Sequence, residues 1–100
     1  MMVAKATLVV TAKPNPDEIG SVHAYLEGVL PLLLGAGGKL IKRLKVNDVI
    51  RGKASGMVLV MDFDSGEAIR GLFNSDEYAA LIPVRDKGFA EMNILLAHEM

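Results

Sequence analysis

The sequence contains no cysteine and no tryptophan, and only two histidines. Without cysteine there is no disulfide scaffold, no thiolate nucleophile and no zinc site built on sulfur. That composition fits a reducing compartment, so the cytoplasm is the expected location. The histidines, His23 and His98, lie far apart and have no His-x-x-x-His or carboxylate spacing beside them, so no metal site is expected. An excess of one charge is also missing. Eleven Lys+Arg stand against twelve Asp+Glu, a formal net charge of −1 that favours neither nucleic acid nor a membrane surface. Long hydrophobic runs are absent too. The most apolar stretch, Val22 to Leu34, is interrupted by Glu27, Gly28 and Pro31 and falls short of the ~20 residues that cross a bilayer. The first residues alternate and carry Lys5, which reads as a strand and not as a signal peptide. Gly35-Ala36-Gly37-Gly38 follows a helix and precedes a strand, the reverse of a dinucleotide turn, and Gly52-Lys53-Ala54-Ser55 lacks the rest of a phosphate loop. No serine sits on a nucleophile elbow, and no cofactor is expected.

What is present describes a packed core. Hydrophobic residues make up 51% and charged residues 23%, which sets the chain, residues 1–100, as a single domain. Ala4 to Ala12 alternates with a period of two and predicts strand one. Asn15-Pro16-Asp17-Glu18 predicts a helix start, with Asn15 as cap, Pro16 at the first helical position and Glu18 completing a capping box. Ile19, Val22, Leu26, Val29, Leu30 and Leu33 then form an apolar stripe, Pro31 bends the last turn, and the glycines at 35, 37 and 38 stop the helix. Lys39 to Arg51 reads as strand two, followed by a turn over Gly52 to Gly56, and Ser55 to Asp62 as strand three. Asp64 or Ser65 caps a short helix, Asp76 to Arg85 adds a turn or two before Pro83 disturbs it, and Phe89 to Ala97 is strand four.

The order β-α-β-β-α-β is the split pattern of a ferredoxin-like domain, an α+β fold with a four-stranded antiparallel sheet and its helices on one face. Strands three and four carry apolar residues on both faces, including Val58, Val60, Met92, Ile94 and Leu96. The face away from the helices therefore needs a cover, and a homodimer packed sheet to sheet is expected.

Three stretches also carry a likeness. They are Pro31 to Arg43, with Gly37, Gly38 and Arg43; Asn47 to Gly52; and Phe73 to Arg85, with Ser75, Tyr78, Pro83 and Arg85, together with Asn93-Ile94. The sequence resembles an uncharacterised family of small proteins in the dimeric α+β barrel superfamily. The resemblance covers nearly the whole chain and implies a ferredoxin-like protomer whose dimer forms a barrel. It implies no reaction, because that superfamily includes cofactor-free monooxygenases, isomerases, haem enzymes and ligand sensors.

Six of the eleven basic residues, Lys39, Lys42, Arg43, Lys45, Arg51 and Lys53, fall between positions 39 and 53, opposed there only by Asp48. No aromatic is interleaved with them, so nucleic-acid binding is not expected, and a solvated edge strand with protective lysines is the bland explanation. The sharper one makes Arg43, sharing a strand face with Ile41 and Lys45, a pocket residue for a carboxylate or enolate. Tyr78, Arg85 and Asp86 form a second candidate group, with Asn93 as a neutral hydrogen-bond partner reaching the same space. Tyr78 packing its ring while Arg85 pairs with an aspartate is the structural alternative. His23, on the edge of the helix-one stripe, is either a satisfied boundary residue or a pocket acid–base group.

The expected function is a homodimer that binds a small anionic or polar-aromatic molecule. In its catalytic version it performs cofactor-independent oxidation or isomerisation, with Tyr78, His23 or Asp86 moving a proton and Arg43 or Arg85 stabilising an oxyanion. The alternative is a non-catalytic ligand-binding or structural dimer module.

Overall fold

A computed structural model describes residues 5–53 and 55–100, so the expectations placed on Ala4 and Ala54 lie outside the described residues. Four strands, β1 (Ala6–Pro14), β2 (Lys39–Lys45), β3 (Met57–Phe63) and β4 (Phe89–Ala97), form one antiparallel sheet in the order β2-β3-β1-β4. Four helices, α1 (Ile19–Gly35), α2 (Gly66–Phe73), α3 (Asp76–Ala79) and α4 (Ile82–Gly88), complete the β-α-β-β-α-β ferredoxin-like fold.

The alternation of β1 decides the layers. Ala6, Leu8 and Ala12 are buried beneath the helices, with α1 contributing Val22, Tyr25, Val29 and Leu33 to the same core. Register carries that face across the sheet, in rows such as Leu40–Met61–Leu8–Leu96 and Arg43–Leu59–Val10–Ile94. The opposite face has rows Lys42–Val60–Val9–Leu95 and Leu44–Val58–Thr11–Asn93 and, among the described residues, carries no helix.

Several boundaries differ from the sequence reading for identifiable reasons. Asn15 does cap, its Oδ1 accepting from the Asp17 N–H at 3.0 Å, but the cap opens a 3₁₀ turn over Pro16–Glu18 before α1 begins. No capping box forms. Glu18 leaves helical geometry (φ −129°, ψ 44°), and its carboxylate lies near Ser21 and Lys87. Helix α1 runs through Pro31 and ends at the glycines, with Gly37 at φ +89° in the left-handed region that glycine adopts without strain. β2 stops at Lys45 and does not continue to Arg51, because its ladder partner β3 begins at Met57, opposite Lys45. Of the two candidate caps for α2, Ser65 serves, accepting from the Ala68 N–H at 3.2 Å. Pro83 opens α4 where the sequence reading has it disturbing a helix. The chain breaks after α3 instead, and a proline in the first helical turn costs no intrahelical bond.

Helices α1 and α4 pack unusually closely. A Cβ on Gly88 would stand 2.9–3.2 Å from the backbone of Ser21 and Val22, and the Gly88 carbonyl accepts from the Asn15 N–H at 2.8 Å. That contact fixes the height of α4 against α1, and with it the meeting of their side chains.

Candidate functional site

Between α1 and the helix-side face of the sheet lies a cavity of about 70 Å³. Its walls are aliphatic and aromatic, drawn from Leu26, Leu30 and Leu33 on α1 and from Val10 and Leu59 on the sheet, while β2 adds Leu40 and Arg43 at the margin. Among the described residues, Arg43 is the one lining residue with a full charge. A register shift puts it there. Leu40 pairs with Met61 and Lys42 with Val60, so Ile41 is one residue too many and the following residues change faces. Arg43 consequently shares its face with Leu40 and Lys45, not with Ile41 as simple alternation implies.

Deeper in the same layer, the Tyr25 and Tyr78 hydroxyls meet at 2.9 Å. Arg85 donates from Nη1 to the Tyr78 Oη at 3.1 Å and from Nε to Asp86 Oδ1 at 3.1 Å. The spacing that brings Arg85 back to Tyr78 survives the break between α3 and α4, because the Leu81 N–H bonds to the Tyr78 carbonyl and the Arg85 N–H to that of Leu81. Edge-to-face contacts hold the rings: Phe73 with Tyr78 at 4.7 Å, Tyr25 with Phe89 at 5.4 Å and Tyr25 with Tyr78 at 6.2 Å between centroids. Burial, and next the hydrogen bond with Tyr78, push ionisation of the Tyr25 hydroxyl far above the usual tyrosine range. The Tyr78 hydroxyl in turn raises the Arg85 pKa further, despite some opposing desolvation.

Residues 8–100 match the model of a family described as a domain of unknown function (DUF1330). The chain belongs to the DUF1330 family. This agrees with the resemblance carried by Gly37, Gly38, Arg43, Ser75, Tyr78, Pro83 and Arg85. Among solved structures, the DUF1330 chain is similar to a protein of unknown function from Rhodopseudomonas palustris, with 13% identity, a TM-score of 0.82, and coverage of 97% of this chain and 83% of that one. It is also similar to a dimeric protein of unknown function and ferredoxin-like fold from Bacteroides fragilis (12%, TM-score 0.63, 99% and 100% covered). A third likeness is to a dimeric ferredoxin-like protein of unknown function from Thermobifida fusca (15%, TM-score 0.60, 97% and 92% covered). At these identities the likeness shows the fold. Comparison with curated proteins finds no match.

Within this DUF1330 fold the sequence-predicted residues separate into distinct places. Tyr78, Arg85 and Asp86 come together, but the Tyr78 side chain is buried and bonded on both sides instead of standing at a pocket mouth. Asn93 lies on the opposite face of the sheet, where its Nδ2 donates to Thr11 Oγ1 at 3.1 Å, so it does not share their space. His23 is exposed on α1. Arg43 reaches the cavity, away from the Tyr78 group. Sequence reasoning missed Tyr25 as the partner of Tyr78. The signal was available, since a tyrosine between Val22 and Val29 on a buried stripe needs somewhere to place its hydroxyl. Among the described residues, no three His, Asp or Glu side chains cluster to hold a metal ion, and no helix is long and apolar enough to cross a membrane.

The raised pKa of Tyr25 has a measurable consequence. Unfolded, its hydroxyl loses its proton near pH 10, while folded it keeps it. This contribution to stability is therefore complete below pH ~10 and is lost as pH rises beyond it, with a slope of at most about 1.4 kcal/mol per pH unit. Urea unfolding at successive pH values from 9 to 12 is expected to show a shallower alkaline decline in Tyr25→Phe than in the parent. Equal declines would mean that the hydroxyl is not protected.

Proposed function

We propose that this protein is a homodimer, joined through its helix-free sheet faces, that binds a small amphipathic anion in the cavity beneath α1, with Arg43 holding the anionic head. The supporting observation is the placement of Arg43, a single full charge at the margin of an otherwise apolar cavity. A guanidinium there offers a carboxylate a planar fork of donors, and apolar walls take the tail. The cavity volume favours a short aliphatic tail, since the engineered cavity that accepts benzene is about 150 Å³. The cysteine-free composition keeps the cytoplasm as the expected location.

Binding without turnover has more support than the oxygenase or isomerase reading. A proton-moving group has to reach substrate, and neither Tyr78, His23 nor Asp86 lines the cavity. Tyr25 does line it, but its hydroxyl is engaged with that of Tyr78 at 2.9 Å.

The dimer rests on the open sheet face. Val9, Val58 and Val60 form its centre, flanked by Leu44 and Leu95, which are 48% and 50% exposed. On that face Lys39 and Lys42 lie on β2, Asp62 on β3 opposite Lys39, and Glu91 on β4 opposite Lys13. The neighbours from Bacteroides fragilis and Thermobifida fusca, described as dimeric, lend the reading support.

Pentanoate, followed by backbone amide shifts in NMR, tests the cavity. Saturable shifts at Leu26, Leu30 and Leu40 are expected, with affinity about tenfold weaker in Arg43→Gln and pentanol insensitive to that change. An Arg43→Gln protein that binds pentanoate as well as the parent does would overturn the assignment.

A further inference from the structure

We infer that the Tyr25 hydroxyl is a second recognition point of the cavity, donating a hydrogen bond to a carbonyl oxygen on the ligand's tail, so that the protein takes oxo acids in preference to plain alkanoic acids. This deepens the cavity reading above and rests on it.

The inference comes from counting protons. Arg85 donates to the Tyr78 hydroxyl, and one further bond joins the Tyr78 and Tyr25 hydroxyls. Two hydroxyl protons are present, and their mutual bond uses one of them. Among the described residues, no other acceptor meets either hydroxyl. One proton is thus left over on a pair of side chains only 4% and 2% exposed, where an unmet donor is costly. The guanidinium selects which proton it is. By drawing electron density from the Tyr78 oxygen it makes Tyr78 the stronger donor, so the bonds run from Arg85 to Tyr78 to Tyr25, and the unspent proton is that of Tyr25. Of the two tyrosines, Tyr25 is the one that lines the cavity.

The surroundings define what the proton can meet. Among the lining residues, Tyr25 and Arg43 alone carry side-chain hydrogen-bond donors. Tyr25 meets Phe89 edge to face at 5.4 Å, and Phe89 lines the cavity beside it. Arg43 comes from β2 and Phe89 from β4, the two outer strands of the sheet, so the cation and the phenol address the cavity from opposite sides. A ligand held by its carboxylate at Arg43 therefore extends its tail toward a wall that is apolar except for one donor. An alcohol there would bring a further proton to a place that already has one too many, whereas a ketone brings acceptor lone pairs only. Burial keeps the phenol protonated, so it donates without giving up its proton.

Titration followed by backbone amide shifts tests this with pentanoate and hexanoate against 4-oxopentanoate and 5-oxohexanoate. In the parent, at least one oxo acid is expected to bind about fivefold tighter than its plain counterpart, although a carbonyl entering an apolar cavity without a donor loses affinity. Tyr25→Phe keeps the ring and is expected to erase that preference while holding pentanoate affinity within about twofold. Arg43→Gln is expected to weaken all four acids alike and to keep the preference. A role of Tyr25 in packing alone would move plain and oxo acids together. Oxo acids that bind no tighter than plain ones in the parent, or a preference that survives Tyr25→Phe, overturn the inference and leave the cavity reading standing. Absence of saturable shifts with all four acids overturns the cavity reading, and this inference with it.

Discussion

Val60→Glu is expected to turn the proposed dimer into folded monomers. Val60 sits mid-row on the helix-free face, between Val9 and Lys42 on its two neighbouring strands. Within the protomer the new carboxylate lies across from the Lys42 ammonium and has solvent above it, so the fold survives. Between protomers, two symmetry-related carboxylates enter an apolar contact without partners, which costs several kcal/mol. The dimer dissociation constant should rise at least ~100-fold by analytical ultracentrifugation. Ala24→Glu, an equal charge change at an exposed position of α1, is the control and should leave it unaltered. Val60→Glu protein that remains dimeric at micromolar concentration would show that the open face is not the interface.

The second large effect concerns the two tyrosines, and it is asymmetric. Tyr78→Phe leaves the Tyr25 hydroxyl buried with no partner and takes from Arg85 the acceptor of its Nη1. Tyr25→Phe leaves Tyr78 still bonded to Arg85. The desolvation of an orphaned group puts the first at about 2–3 kcal/mol and the second near 1 kcal/mol, with the double replacement costing less than their sum. Urea unfolding of the four proteins completes the cycle. Equal costs for the two single variants would mean that Arg85 contributes nothing to holding the Tyr78 hydroxyl.

The fold is largely legible in the sequence because its signals are short-range. Phe89 to Ala97 reads as a strand with both boundaries correct, and the β-α-β-β-α-β order follows from periodicity and the helix stops. Differences arise where a neighbour in space decides the outcome. Continuation of β2 through Val46 to Arg51 is reasonable from composition alone, yet a strand lasts only as long as its ladder, and β3 begins too late to pair with it. The sequence reading places Asn93 with Tyr78, although alternation with Met92 and Ile94 already assigns it to the other face. In the site, the meeting of Tyr25 with Tyr78 depends on how closely α4 approaches α1, which the smallness of Gly88 permits and no local pattern announces.

The surplus residue at Ile41 has a further implication. Were the β2 ladder regular from Leu40 onward, Ile41 would oppose Val60, and Lys42, not Arg43, would oppose Leu59 on the cavity side. The charged group presented at the cavity margin is therefore chosen by where the strand stores its slack as much as by which codons it uses. Migration of that irregularity toward Lys45 would exchange a planar, forked guanidinium for a compact, strongly hydrated ammonium with every amino acid of the chain unchanged. The chemistry of the cavity margin is thus a property of backbone register as well as of sequence.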